Sequence, residues 1–140
     1  MELMFQPIRK YADFSGRARR KEFWLFALLM FLIEIAFMGL LSAVGGSPMM
    51  LVDPALAPAT GASGTVLMIY GLVLLALLIP SIAVAIRRLH DTNRRGWWIL
   101  IGLIPLIGQL VLFIFYLLDG TPGPNRFGPD PKARSELAPA

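Results

Sequence analysis

Apolar and polar positions fall into long, separate blocks along this chain. Residues 23–44 read FWLFALLMFLIEIAFMGLLSAV, residues 66–86 read VLMIYGLVLLALLIPSIAVAI and residues 97–118 read WWILIGLIPLIGQLVLFIFYLL. At about 1.5 Å rise per residue the first extends roughly 33 Å as a helix, enough to cross a bilayer's hydrocarbon core, and the other two are similarly long. The pattern predicts an all-α integral membrane protein with three transmembrane helices. Between them lie a basic amino-terminal segment at 1–22, a Pro-, Gly- and Ala-rich loop at 45–65, a basic loop at 87–96 and a Gly/Pro-rich tail at 119–140. A secretory signal competes for the first block, but the apolar region of a signal runs about 7–15 residues and this one is longer.

The third block carries its own interruption. Pro105 has no amide hydrogen and Gly108 follows closely, so IPLIGQ cannot hold an unbroken helix. A single crossing kinked at Pro105 is the expectation. The alternative is a re-entrant segment that turns at 105–108 and leaves on the side it entered, which requires protein or water around its turn to satisfy the backbone.

Charge sets the direction of threading. Arg9, Lys10, Arg17, Arg19, Arg20 and Lys21 precede the first block, Arg87, Arg88, Arg94 and Arg95 separate the second from the third, and the 45–65 loop carries no basic residue. Basic flanks stay inside, so the amino terminus and the 87–96 loop face the cytoplasm and 45–65 faces outward. Cations before a helix start are disfavoured by its dipole by about 0.3–1 kcal/mol each. Anionic lipid returns about 1 kcal/mol per basic residue, so the membrane accounts for Arg19, Arg20 and Lys21. A single third crossing leaves Arg126, Lys132 and Arg134 outside; the re-entrant form keeps all 13 basic residues inside.

Composition narrows the chemistry. Apolar residues make up 56% of the 140 positions and charged ones 16%, with Glu34 and Asp53 the only charges between Phe23 and Ile86. There is no cysteine, which excludes disulfides, thiolate metal sites and thiol nucleophiles. The net charge of +4 does not point to nucleic acid, because the basic residues flank apolar blocks. One histidine is too few for a His/Asp metal centre, no G-x-S-x-G elbow is present, and Asp119-Gly120 is followed by Thr-Pro-Gly-Pro, unlike the lipid-headgroup transferases. The expectation is a non-enzymatic protein without cofactor or metal.

Two groups of residues stand out. Arg17, Arg19, Arg20, Arg87, Arg88, His90, Asp91, Arg94 and Arg95 form a cytoplasmic set in which arginine forks grip phosphate or a partner protein, with Trp24, Trp97 and Trp98 as interfacial anchors. Asp91, Thr92 and Asn93 either cap the third helix or pair with neighbouring arginines. Glu34 falls near the midplane of the first span, where an ionisable group raises suspicion of function. Gln109 lies at similar depth in the third, so a Glu34–Gln109 hydrogen bond is expected. That pair serves either as interhelical glue or, in an oligomer, as a proton or cation site.

FSGRARRKEFW at 14–24, RRLHDTNRRGWW at 87–98 and GTPGPNRFGPDP at 120–131 together resemble the signature blocks of the small bacterial inner-membrane proteins catalogued as domain of unknown function 805. The resemblance covers nearly the whole chain in block order and is weakest at the outer loop. It implies a bacterial plasma-membrane protein, gives Arg88, His90 and Asp91 a role beyond topology, and places 120–131 after the last span. It adds nothing to Glu34.

The leading expectation is a non-enzymatic inner-membrane component that binds anionic lipid or a partner protein through its cytoplasmic basic face. The alternative is a small oligomeric proton- or cation-coupled transporter using Glu34. So few helices bury little surface, so a homo-oligomer or larger membrane complex is expected, with Gly39 and Ala43 offering a small-xxx-small contact.

Overall fold

The computed structural model describes residues 2–56 and 61–132; Met1, residues 57–60 of the predicted outer loop and residues 133–140 of the tail, Arg134 included, lie outside the described residues. Every regular element among them is helical. In chain order these are α1 (Glu2–Arg9), α2 (Arg20–Ala43), α3 (Met49–Val52), a 3₁₀ turn (Pro54–Leu56), α4 (Ala62–Asp91), a 3₁₀ segment (Gly96–Leu103) and α5 (Ile107–Leu117). The sequence pattern did not indicate α1. The chain divides into two compact units, residues 27–78 and residues 1–26 with 79–140.

Helices α2 and α4 carry the first two apolar blocks and are long and apolar enough to cross a membrane. Only 11% of the most apolar stretch of α2 and 22% of that of α4 is buried, which is not the burial of a soluble core helix. Phe31, Leu32, Ile35, Met68, Leu72 and Leu75 all point outward, an apolar surface that water does not tolerate over such a length.

Hydrogen bonds to the last turn close both helices. At the end of α2 the Gly45 amide donates to Ser42 O and that of Gly46 to Leu41 O. At the end of α4 the Asn93 amide donates to His90 O and that of Arg94 to Leu89 O, with Asn93 at φ +58°. This is a Schellman closure with asparagine in the left-handed position. Asp91, Thr92 and Asn93 therefore belong to the end of α4, and the capping role envisaged for them at the third helix is replaced by a role at the second.

In the unit formed by residues 27–78, α2 and α4 meet at Glu34 and Tyr70. The Tyr70 hydroxyl donates to Glu34 Oε2, and the Phe37 ring lies 5.1 Å from that of Tyr70. With Met38, Leu41, Leu51, Val66 and Leu67 these residues line a cavity of about 10 Å³, room for one water.

In the other unit the third apolar block does not form one rod. Residues 96–103 wind as a 3₁₀ segment, the chain reverses at 104–106, and α5 follows. The Ile107 amide donates to Pro105 O at 2.7 Å around Leu106, whose φ of +64° and ψ of −64° define a γ-turn with positive φ, a rare and strained form. After this reversal α5 lies back against the 3₁₀ segment. A β-carbon on Gly108 would fall 1.6 Å from Ile101 O, so only glycine permits that approach, and the Trp98 and Phe115 rings meet edge to face at 5.5 Å. The two ends of the block also sit together: Gly96 packs against Ile86 and His90 of α4, while the carbonyls of Tyr116 and Leu118 accept hydrogen bonds from Arg88 of α4. A single kinked crossing would hold those ends about 30 Å apart. The kink expected at Pro105 is instead a reversal, because Pro105 withdraws an amide and Leu106 takes a left-handed backbone that no helix can include.

Candidate functional site

The carboxyl end of α4 organises the second unit. Arg87, Arg88, His90 and Asp91 occupy its last two turns, so their side chains leave the helix in several directions and meet three other segments. Asp91 receives two arginines: Arg17 Nε donates to Oδ1 at 2.9 Å, and Arg88 Nη1 donates to Oδ2. The Arg17 and Asp91 side chains are 1% and 3% exposed. Two cations on one buried carboxylate leave an excess of positive charge, which main-chain oxygens absorb. Arg17 Nη1 donates to Gly123 O at 2.7 Å and Nη2 to Thr121 O at 2.6 Å, while Arg88 donates to Tyr116 O and Leu118 O.

The tail is fixed by the same groups. The Thr121 amide donates to Asp91 O at 2.8 Å, and Asn125 Nδ2 donates to His90 O at 2.9 Å and to Thr121 Oγ1 at 3.0 Å. Residues 125–128 close a tight turn with reciprocal Asn125 and Gly128 bonds at 3.0 Å. Phe127 on that turn stacks flat on His90, with centroids 3.9 Å apart and planes 3° from parallel. His90 Nδ1 lies 3.1 Å from Gly16 O, and since a carbonyl only accepts, the proton is on Nδ1. Each quoted sequence block thus contributes to one knot: Gly16 and Arg17 from the first, Arg88 to Asp91 from the second, Thr121 to Phe127 from the third.

Arg87 pairs elsewhere. Its guanidinium, fully buried, lies 3.0 Å from Glu22 Oε1, itself on a side chain 4% exposed. The contact is ionic but not aligned as a hydrogen bond, and Arg87 Nε, Nη1 and Nη2 and Glu22 Oε1 have no hydrogen-bond partner among the described residues. The Ala18 amide donates to Arg87 O at 3.0 Å.

The other arginines of the predicted set sit nearer the surface. Arg19 Nε donates to Pro131 O at 2.6 Å, Arg20 pairs with Asp119 at 3.1 Å in the open, and the Arg94 guanidinium lies 4.0 Å over the Phe115 ring. Arg95 is exposed and, with Trp97, Trp98 and Ile101, lines a surface recess of about 340 Å³. Trp97 is 77% exposed. Trp24 meets Phe113 edge to face at 5.7 Å, so it packs on α5 as well as standing beside the basic arm.

Glu34 and Gln109 fall in different units. The structure gives Glu34 the partner Tyr70, and Gln109 is exposed on α5. Sequence reasoning missed Tyr70, Glu22 and the His90–Phe127 stack. Glu22 carried a signal, as an acidic residue set among Arg19, Arg20 and Lys21, but nothing in its neighbourhood names Arg87 as its partner.

What this arrangement can do chemically is hold. Its carboxylate is saturated by two guanidinium groups, and its histidine is stacked and bonded to a carbonyl. Removing one member of such a buried set costs about 3–5 kcal/mol.

The family model described as a protein of unknown function (DUF805) matches residues 11–129. The chain is 41% identical over 132 residues to the inner membrane protein YhaH of Escherichia coli K12, covering 94% of this chain and 98% of the relative. It is 40% identical over 132 residues to the inner membrane protein YhaI of the same strain, covering 94% and 97%. No solved structure matches the chain significantly.

Proposed function

The chain belongs to the DUF805 family, and from that membership and its exposed apolar helices we propose an inner-membrane protein that is not an enzyme and binds anionic lipid through its cytoplasmic basic face. In this reading α2 and α4 are two full crossings, with the amino terminus, the 87–96 loop and the tail all cytoplasmic. The 96–118 hairpin enters the cytoplasmic leaflet and returns to it. The hydrogen bonds from Arg88 to Tyr116 O and Leu118 O support this threading, since they hold the hairpin's exit at the cytoplasmic end of α4.

The observation that carries lipid binding is the recess of Arg95, Trp97, Trp98 and Ile101. There exposed Arg95 lines the same recess as two amphipathic rings, at the foot of a hairpin whose tip, Leu103 to Ile107, exposes large apolar side chains. Arg17, Arg87 and Arg88 hold the headpiece together; Arg95, with exposed Lys21 and Arg20, meets phosphate. The test is thermal unfolding of the detergent-solubilised chain with added phosphatidylglycerol or phosphatidylcholine. Phosphatidylglycerol stabilises the natural chain more, and Lys21→Glu with Arg95→Glu removes at least half of that difference. An unchanged difference rejects the recess and its neighbours as the lipid contact.

A second reading keeps Glu34 as a proton or cation site in an oligomeric transporter. It is favoured by Glu34 lining a cavity large enough for one water beside the Tyr70 hydroxyl.

A further inference from the structure

A cleft of about 490 Å³ lies between α1, the 13–22 segment and residues 129–131, within the size range of small-molecule sites. Its lining is polar and of both signs: Gln6, Lys10, Asp13, Arg19 and Glu22 contribute to it, with Pro131 at the tail. Among its lining residues, Gln6 and Glu22 each carry a buried oxygen, Oε1, that accepts no hydrogen bond from any described residue, that of Glu22 being in ionic contact with Arg87 at 3.0 Å. Buried acceptors left without donors are costly, and a charged one more so. The cleft therefore calls for a ligand that brings N–H or O–H donors to Gln6 and Glu22.

The cations of the same cleft call for the opposite. Lys10 and Arg19 line it, and Arg87 stands 3.0 Å from Glu22 Oε1. Asp13 and Glu22 are its two carboxylates, and with Arg17 already held by Asp91 they balance Lys10 and Arg19, the two cations left in the lining. A ligand that suits both halves carries an ammonium and an oxyanion.

We propose that this cleft binds a small zwitterion, its ammonium against Glu22 and Gln6 and its phosphate against Lys10 and Arg19. Phosphoethanolamine has this chemistry, free or as the headgroup of a phospholipid. The site is separate from the Arg95 recess, and its occupancy does not depend on lipid binding there.

The experiment is calorimetric titration of the full chain in phosphatidylcholine nanodiscs with phosphoethanolamine, inorganic phosphate and ethanolamine. Phosphoethanolamine is expected to bind saturably and at least tenfold tighter than either half. Lys10→Ala and Gln6→Leu, both on the amino-terminal arm and outside the arginine knot, each weaken it fivefold or more. Glu22→Gln is avoided because it strands the buried Arg87. Repeating the titration in phosphatidylethanolamine nanodiscs separates the sources: lost binding of the free ligand identifies the headgroup as occupant, retained binding identifies a soluble one, and both sustain the zwitterion site. Absence of saturable binding in phosphatidylcholine, an equal response to inorganic phosphate, or indifference to both substitutions overturns it. Loss of the Arg95 effect on phosphatidylglycerol leaves this result untouched, so the two readings fail separately.

Discussion

Gly120 lies so close to Asp91 that a β-carbon on it would fall 2.1 Å from Oδ2 and 2.7 Å from Oδ1. The main chain of the tail passes directly over the carboxylate that Arg17 and Arg88 share, and no other residue type leaves room for it. Gly120→Ala must push the tail away or tilt Asp91 out of line with one arginine. Overpacking of this kind costs about 1–3 kcal/mol, read as a lower unfolding midpoint in detergent. An unchanged midpoint would show that the tail is not seated there.

Asp91→Ala removes the only carboxylate bonded to Arg17 and Arg88 among the described residues. The two guanidinium groups are then buried with carbonyls alone, and the expected loss is about 3–5 kcal/mol. Arg17→Lys is the milder companion, since an ammonium reaches Asp91 but cannot also span Thr121 O and Gly123 O. The order of midpoints, natural chain above Arg17→Lys above Asp91→Ala, checks the account, and an inverted order contradicts it.

Threading is tested by single cysteines at Ser63, Asn93 and Lys132 in a chain that has no native cysteine. In intact cells a membrane-impermeant maleimide labels position 63 only; permeabilised cells give all three. Labelling of position 132 from outside would mean that the hairpin crosses the bilayer.

Acid loosens the tail. The Lys132 and Gly123 amides hold the Asp130 carboxyl below its ordinary value of 3.8, and the Ser15 side chain does the same for Asp13. A carboxyl depressed in the folded state adds stability that is fully present above its unfolded pKa and is lost as pH falls through the folded one. The contribution is therefore constant above about pH 5 and disappears below about pH 4. A fluorophore on Lys132→Cys should report release in that window, and Asp130→Asn should flatten the response; release centred near neutrality would refute the assignment.

Tyr70→Phe removes the hydroxyl that Glu34 accepts from. If the bond is interhelical glue, the loss is about 0.6–2 kcal/mol and Glu34→Gln, which still accepts, loses less. If Glu34 carries ions, Glu34→Gln abolishes proton-coupled flux in proteoliposomes while the fold stays intact.

The long apolar blocks were legible because a run without charge has few other solvents, and α2 and α4 cover them with about one added turn at the ends that carry the basic residues. The third block was half legible: Pro105 and Gly108 announced a break, but the reversing residue is Leu106, a type that seldom takes positive φ, so no turn signature marked it. The arginines and Asp91 were visible as opposite charges. Their pairing across 74 positions was not, and the carbonyls that share the load cannot be read at all, since every residue carries one. Tyr70 was hidden in the same way, as one of two hydroxyls, with Ser81, in the apolar block at 66–86.

Arg17 reaches forward to Thr121 and Gly123, more than a hundred positions along the chain. During synthesis the amino-terminal arm emerges first; its guanidinium can meet Asp91 once α4 is made, but its two carbonyl seats are complete only when the ribosome has made nearly all of the protein. Final assembly of the arginine knot is thus deferred to the end of translation, and a chain stopped at the foot of the hairpin would carry both long apolar helices yet be unfastened.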